Sequence, residues 1–222
     1  MGRTALMRCA LFLLCAGLQA HASGIQLNFL GLKDQEPVQN FYNGGTGGFG
    51  SSKGLNYGLT FSSNTLAIKS YLQGGSGGFV EPHGGSAIFF TGTTPGVMNS
   101  AAGFSGGLSF FFAAGASATV TVWSGANGTG NILASITLSP NSGGACGVTY
   151  CTWTFVPLPF AGEAGSVVFA GAGNQLGISN VNVGSTLAAV PEPSSLLLVG
   201  TGVVGLWGKL RRRPDGAKPA SL

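Results

Sequence analysis

The chain has 222 residues, of which 44% are hydrophobic and 7% charged, and its formal net charge is +4. The low charge and the fifteen phenylalanines exclude a disordered chain, because disordered chains are highly charged and poor in aromatic residues. A coiled coil and a soluble helical bundle are excluded as well, since both need many Lys, Glu, Arg and Leu residues in amphipathic repeats.

Residues 1–22 predict a secretory signal peptide. Arg3 and Arg8 precede a short apolar run over residues 9–17, and Ala20 and Ala22 then form the small-residue pattern of a cleavage site. The apolar run is too short to span a membrane, because a spanning helix needs about 20 apolar residues. We therefore expect signal peptidase to cleave the chain after Ala22.

Residues 23–184 predict one all-β domain, a jelly-roll-like β-sandwich. Short apolar or alternating runs are separated by glycine clusters, and no run repeats with a 3.6-residue period. The clearest alternation covers residues 118–123, and the Asn127-Gly128 turn joins that strand to the next. The predicted strands are 24–31, 55–61, 65–69, 86–91, 104–113, 118–123, 131–138, 152–160, 166–170 and 176–183.

Period-two spacing also predicts which phenylalanines lie in the core. Phe104, Leu108, Phe110 and Phe112 fall on one face of their predicted strand, and Phe111 falls on the other. We expect the first set to pack in the core.

Prolines and glycines mark the boundaries of the predicted sheets. Pro157 and Pro159 have no backbone N–H to donate, which confines their strand to a sheet edge or a bulge. Glycine clusters at 44–48 and 74–78 predict long mobile loops.

Two cysteines, Cys146 and Cys151, remain after the signal peptide leaves with Cys9 and Cys15. An even count in an oxidising compartment favours a disulfide. The C-x4-C spacing differs from the C-x-x-C of redox motifs, so we predict a structural bridge.

The C-terminal segment has three parts in a fixed order. A linker over residues 185–193 ends in Pro191, Glu192 and Pro193, and the stretch 194–213 predicts a single hydrophobic helix. Its end carries a cluster of cations that stays on the cytoplasmic side by the positive-inside rule, and a polar tail over 214–222 follows. The cluster consists of Lys209, Arg211, Arg212 and Arg213.

These three parts resemble the PEP-CTERM sorting signal of bacterial exported proteins, over residues 190–213. The resemblance implies recognition by an exosortase-type membrane protease and transient membrane anchoring through the C-terminal helix. It also implies removal of the tail near residues 191–193 and release to the cell surface or the extracellular polysaccharide matrix. The same tail occurs on some ice-binding proteins, so it gives an address and leaves the activity open.

The positive charge lies almost entirely in the two terminal segments. Residues 23–190 keep three lysines against four carboxylates, a net charge of −1. We therefore expect no nucleic-acid partner, because binding to a polyanion needs clustered cations. The charged residues of this region are Lys33, Lys53, Lys69, Asp34, Glu36, Glu81 and Glu163.

A second resemblance covers most of residues 24–184. The runs 41–45, 56–58, 102–105 and 177–181 look like the β-sandwich domain of many other PEP-CTERM proteins. In related jelly-roll domains the final strand often reads G-F-D-N, with an acidic side chain that helps bind calcium. Ser179 stands in that place here, and a calcium site needs six to eight oxygen ligands, so we expect no metal and no cofactor.

The sequence offers no convincing catalytic residue, and we expect the protein not to be an enzyme. His83 is the one histidine of residues 23–222, no G-x-S-x-G elbow is present, and the four carboxylates show no informative spacing.

The favoured function is that of a surface or matrix protein, adhesive or glycan-binding, with extracellular polysaccharide as its partner. Its sugar-stacking residues would be Tyr42, Tyr57, Tyr71 or Trp123. One alternative is an ice-binding or structural surface protein, for which Thr119 and Thr121 supply a T-x-T pair but no longer regular repeat. A secreted glycoside hydrolase drawing on Asp34, Glu36, Glu81 or Glu163 is the least favoured.

Overall fold

The computed structural model describes residues 24–81, 85–144 and 146–186. The predicted signal peptide with Ala20 and Ala22, the loop residue His83, the PEP motif at 191–193, the hydrophobic helix with its basic cluster, and the polar tail lie outside the described residues.

The described residues form two antiparallel sheets, as the predicted β-sandwich requires, with two short 3-10 helices at Tyr71–Gln73 and Ala126–Gly128. The first sheet has the order β3-β4-β11-β6-β9, with β1 also paired to β11, and the second has the order β2-β5-β10-β7-β8. The strands are β1 Ile25–Leu27, β2 Leu59–Phe61, β3 Thr65–Ile68, β4 Ala87–Phe90, β5 Gly96–Phe104, β6 Leu108–Ala114, β7 Ala118–Trp123, β8 Ile132–Leu138, β9 Thr154–Leu158, β10 Ala164–Gly171 and β11 Leu176–Val183.

The core between the sheets is filled by the inward face of each strand. Leu108, Phe110 and Phe112 of β6 are buried in it, as their spacing predicts, and Phe104, at the end of β5, packs half-buried against it. Phe111 points to the other face of the sheet, where its ring lies 5.2 Å from that of Phe155. The period-two assignment of this strand is therefore confirmed.

Strand β5 was missed by the sequence prediction, which placed no strand between residues 91 and 104. Its residues 99–103 are small or polar, and their outward positions carry no apolar alternation. The predicted strand 104–113 is also divided, because Gly106 and Gly107 adopt positive φ angles of 89° and 122° and turn the chain between β5 and β6.

Strand β11 is buried along its whole length, on both faces. Leu176, Ile178, Val181 and Val183 point into the core. The opposite face is covered by a second apolar cluster: a Cβ atom on Gly177 would overlap the ring of Phe79 and lie within 3.2 Å of Trp153. Gly177 therefore allows a third layer of side chains to sit directly on the sheet.

Cys146 and Cys151 lie in the loop before β9. The structure joins their sulfur atoms across a Cα–Cα distance of 6.2 Å, which is within the range that a disulfide allows. The loop thus accommodates the predicted bridge.

One open side of the sandwich is closed by residues 36–42, which run along an edge of each sheet. Ala67 of β3 donates its N–H to the carbonyl of Glu36, and Val38 donates to the carbonyl of Thr65. Farther along, the N–H of Phe61 in β2 donates to the backbone carbonyl of Gln39, and the N–H of Leu59 donates to the backbone carbonyl of Tyr42. A single segment therefore occupies the free edges of both β3 and β2.

We expect Gly177→Ala to lower the free energy of unfolding by about 2 kcal/mol, because the added methyl group meets aromatic side chains in a packed layer. The measurement is urea unfolding of the released protein, meaning the form recovered after export from cells that express the full-length chain. Gly78→Ala is the matched control, since its Cβ would meet its nearest neighbour at an ordinary 3.6 Å. Equal stability of the two variants would contradict the close packing of a third layer of side chains on Gly177.

Candidate functional site

The loop over residues 33–51 is built around the buried carboxylate of Glu36. Its Oε2 accepts the backbone N–H of Lys33 at 2.7 Å and the hydroxyl of Ser51 at 2.6 Å. Its Oε1 accepts the backbone N–H groups of Phe49 at 2.8 Å and Ser51 at 3.1 Å. Gly47 leaves room for this arrangement, since a Cβ there would lie 2.6 Å from Oε1.

Glu36 is held in its ionised form. Burial by itself would raise the pKa of this carboxyl, but the Ser51 hydroxyl and the surrounding backbone N–H groups hold the pKa below its ordinary value of 4.5. Further backbone bonds, from Gly47 to the Ser51 carbonyl and from Gly48 to the Pro37 carbonyl, tie the glycine cluster to the same frame. The predicted loop at 44–48 is therefore a loop with a defined hydrogen-bonded path.

Asp34 positions the second glycine-rich loop, residues 74–78, in the same way. Its two oxygens accept the backbone N–H groups of Lys69 at 2.9 Å and Ser76 at 3.0 Å. Burial opposes ionisation, but hydrogen bonds from Ser76 and Lys69 hold the pKa of Asp34 below its ordinary value of 3.8. Both carboxylates of this region thus serve to position loops.

The outer surface of the 33–51 loop and its neighbours carries exposed apolar side chains beside two lysines. Phe49 is 54% exposed, and Leu30 and Leu55 are exposed as well. The ammonium group of Lys33 donates to the carbonyl of Phe49 at 2.6 Å. We call the surface formed by Leu30, Lys33, Phe49, Lys53 and Leu55 the loop face.

The two halves of the loop face meet over the buried ring of Phe41. A Cβ atom on Gly31 would lie 3.3 Å from the Phe41 ring and 4.0 Å from Cβ of Lys53. A Cβ on Gly54 would overlap the Phe41 carbonyl oxygen. These close approaches bring residues 30–31 next to residues 53–55, so the exposed side chains share one surface.

Tyr42 is a core residue, and the prediction that it is an exposed stacking residue is wrong. It is 4% exposed, and its hydroxyl oxygen accepts the backbone N–H of Phe29 at 2.8 Å. Burial raises the pKa of its hydroxyl. Tyr57 covers it, with the two rings 6.1 Å apart and nearly parallel, so one face of the half-buried Tyr57 is already used.

The other predicted stacking residues lie apart from one another. Tyr71 is exposed in the first 3-10 helix. Trp123 is half-buried on the outer face of the second sheet, where its indole N–H is buried without an acceptor among the described residues. Sequence reasoning missed Phe49, although its place in a glycine-rich loop between Lys33 and Lys53 was a usable signal.

Glu81 lies on the outer face of the first sheet beside Ser179. The hydroxyl of Ser179 donates to Oε1 of Glu81 at 3.1 Å, and Asn180 Nδ2 donates to the same oxygen at 3.4 Å. The Gly85 N–H donates to Oε2 at 3.0 Å. Ser179 is therefore bound to a carboxylate from a neighbouring loop, in the place where the resembling domains carry an acidic residue.

The four carboxylates considered for a glycoside hydrolase do not form a reactive pair. Asp34, Glu36 and Glu81 accept hydrogen bonds from backbone or side-chain donors, and Glu163 is exposed next to Gly103. Within 24–81, 85–144 and 146–186, no three His, Cys, Asp or Glu side chains are grouped so that they could hold a metal ion.

Comparison with known proteins identifies a sorting signal in the C-terminal segment. Residues 189–213 match the model of the PEP-CTERM protein-sorting motif, which agrees with the resemblance noted in the sequence and supports export. In the part of the chain that the structure describes, no helix is long and apolar enough to cross a membrane. No curated protein matches the chain significantly.

Two solved structures are distantly similar to the sandwich. One is a glycoside hydrolase family 43 arabinoxylan arabinofuranohydrolase from Bacillus subtilis, at 17% identity and a TM-score of 0.38 over 56% of this chain. The chain spans about a quarter of that protein's length, 25%. The other is CsCBM6-3 from Clostridium stercorarium, in complex with cellobiose, at 16% identity and a TM-score of 0.36, covering 56% of this chain and 84% of the other.

Stability should fall as the pH drops below the ordinary pKa range of carboxyls. Asp34 and Glu36 have lowered pKa values in the folded state, so their contribution is complete above the unfolded-state pKa and is lost as the pH falls through the folded-state values. Urea unfolding of the released protein between about pH 7 and about pH 3 measures this loss.

The variant Glu36→Gln isolates the part due to Glu36. At neutral pH it should cost about 3 kcal/mol, because an amide leaves N–H donors of the loop without a charged acceptor, and its stability should depend less on pH. Glu163→Gln, at an exposed carboxylate, should behave like the unaltered protein. If the stability of Glu36→Gln depended on pH as strongly as that of the unaltered protein, the result would contradict the assignment of this pH dependence to Glu36.

Proposed function

Because residues 189–213 match a PEP-CTERM sorting motif, we propose that this chain is an exported, non-enzymatic protein of the cell surface or extracellular matrix. Its loop face binds an acidic polysaccharide. The observation that carries this proposal is the contact of exposed Phe49 with Lys33 on a loop that the buried Glu36 carboxylate holds in place, with Lys53 next to residue 31 on the same face.

The chemistry of the loop face suits a chain of uronate sugars. An aromatic ring packs well against the C–H face of a sugar because it supplies a large, rigid apolar area. Lysine ammonium groups attract carboxylates. Among the described residues neither Lys33 nor Lys53 has an ion-pair partner, whereas Lys69 lies in the field of Asp34. Two of the three lysines in residues 23–190 are thus available at the loop face.

The loop face is also arranged in advance of binding. Residues 33, 49 and 51 are hydrogen-bonded to one carboxylate, so the backbone that carries Lys33 and Phe49 is ordered without a ligand. Binding then requires less loss of conformational entropy than it would on an unconstrained glycine-rich loop.

A second candidate function, ice binding, rests on the outer face of the second sheet. Thr119 and Thr121 of β7 are paired with Thr137 and Ser135 of β8, which extends the T-x-T repeat into a small array of hydroxyls. Thermal hysteresis of the released protein would favour this candidate over polysaccharide binding.

Binding is tested by affinity electrophoresis of the released protein through gels containing alginate, a polyuronate, or dextran, a neutral glucan. Phe49→Ala should weaken retardation by alginate about tenfold, and the double variant Lys33→Gln/Lys53→Gln should weaken it at least as much. Added salt should also weaken retardation, because exposed charges are screened.

Matched controls separate the loop face from general charge and aromatic effects. Tyr71→Ala removes an equally exposed ring elsewhere, and Lys69→Gln removes the third lysine of this region. Both controls should bind alginate like the unaltered protein. The proposal fails if alginate does not retard the protein, or if the controls lose as much binding as the loop-face variants.

For sorting, we propose cleavage by signal peptidase after Ala22 and by an exosortase-type protease near residues 191–193. Until the second cleavage, the helix within 194–213 anchors the chain, and the cluster of Lys209, Arg211, Arg212 and Arg213 keeps its end on the cytoplasmic side.

Glu192→Ala should leave the protein in the membrane fraction with its C-terminal segment intact, because the altered residue lies at the centre of the sorting motif. Intact mass of the recovered protein reports both cleavages. Glu163→Ala, a carboxylate change within the folded domain, should be processed and released normally. A Glu192→Ala protein with the normal C-terminus and location would refute the sorting proposal.

A further inference from the structure

Every open β-sheet has edge strands whose backbone N–H and C=O groups can pair with another strand, and proteins normally block such edges. The first sheet ends in β3 and β9, and the second ends in β2 and β8. Strand β1, which lies beside β11, is three residues long. Short edge strands are a recognised form of protection.

Three of the four terminal edges are blocked by identifiable devices. Residues 36–38 hydrogen-bond along β3, and residues 39–42 hydrogen-bond along β2. Strand β9 contains Pro157, and Pro159 follows it immediately, so that edge lacks two N–H donors.

Strand β8 has none of these protections, and a β-bulge against β7 is confined to its first residues, between Ile132 and Ala134. Its seven residues, Ile132–Leu138, include no proline, glycine or charged residue. Its partner is β7, and among the described residues no segment forms a backbone hydrogen bond along its other side. Ile132, at its beginning, is 57% exposed. The strand therefore presents an unblocked edge over residues 134–138.

We infer that β8 is a self-association edge, which pairs antiparallel with β8 of a second copy of this chain. The two five-stranded sheets then become one continuous sheet across a two-fold axis. Because the other terminal edges of the described sheets are blocked, the strand that a second copy offers among the described residues is its own β8. The association is therefore isologous and closes at a dimer.

The side chains of β8 suit this two-fold arrangement. With Ser135 on the axis, Ser135 faces Ser135, Ala134 faces Ile136, and Leu133 faces Thr137. Ala134 and Ile136 pack on the core side of the sheet, so an apolar residue meets an apolar residue there, and the two Ser135 hydroxyls meet on the outer face. No charge on the strand opposes the approach of two copies. The inference is independent of polysaccharide binding, although a dimer would carry two loop faces.

Sedimentation velocity of the released protein over a wide concentration range tests the inference. The unaltered protein should shift from monomer to a species of twice the mass. Ser135→Lys should abolish the dimer, because two ammonium groups would meet at the axis, and Ser135→Glu should do the same with two carboxylates. An equimolar mixture of the two variants should restore the dimer, because opposite charges then face each other.

Thr119→Lys is the matched control, since it adds the same charge to the same outer face but on β7, one strand inside the edge. This variant should dimerise like the unaltered protein. Restoration in the mixture also shows that both Ser135 variants are folded. A protein that stays monomeric at all concentrations, a Ser135→Lys dimer, a mixture that stays monomeric, or open-ended polymers would each overturn the inference.

Discussion

A buried carboxylate must be surrounded by hydrogen-bond donors, because an isolated charge away from water is strongly unfavourable. Glu36 meets this requirement with backbone N–H groups from both ends of its own loop and with the Ser51 hydroxyl. The carbonyl of the same residue accepts the N–H of Ala67. One residue therefore determines the shape of the loop and its register against β3. The closure of β2 and β3 and the arrangement of Phe49 and Lys33 both depend on it.

The same principle explains how a chain with few charges uses the ones it has. In residues 23–190, Asp34, Glu36 and Glu81 each tie loops to the sandwich through hydrogen bonds from backbone or side-chain donors. The lysines at the loop face keep their ammonium groups at the surface. This division leaves two of the three lysines at the surface of a region whose net charge is −1.

Local periodicity predicted much of the fold. The alternation in β7 and β6 was correctly assigned, because one face of each strand meets the core and the other does not. Strand β5 was missed because residues 99–103 have no large apolar side chain to mark a face. Tyr42 was misplaced for a different reason. Its phenol group suggested exposure, but the backbone N–H of Phe29 supplies the hydrogen bond that allows the ring to be buried.

The sequence by itself determined the all-β class, the near absence of charge in the folded region and the C-terminal address, because these depend on composition, local period and a linear motif. The tertiary structure decided that Glu36 is a structural anchor, that Phe49 is exposed while Tyr42 is buried, and that no described segment pairs with the outer edge of β8. Each of these depends on contacts between residues far apart in the chain. Burial and hydrogen-bond satisfaction come from such contacts, and no local pattern of residues records them.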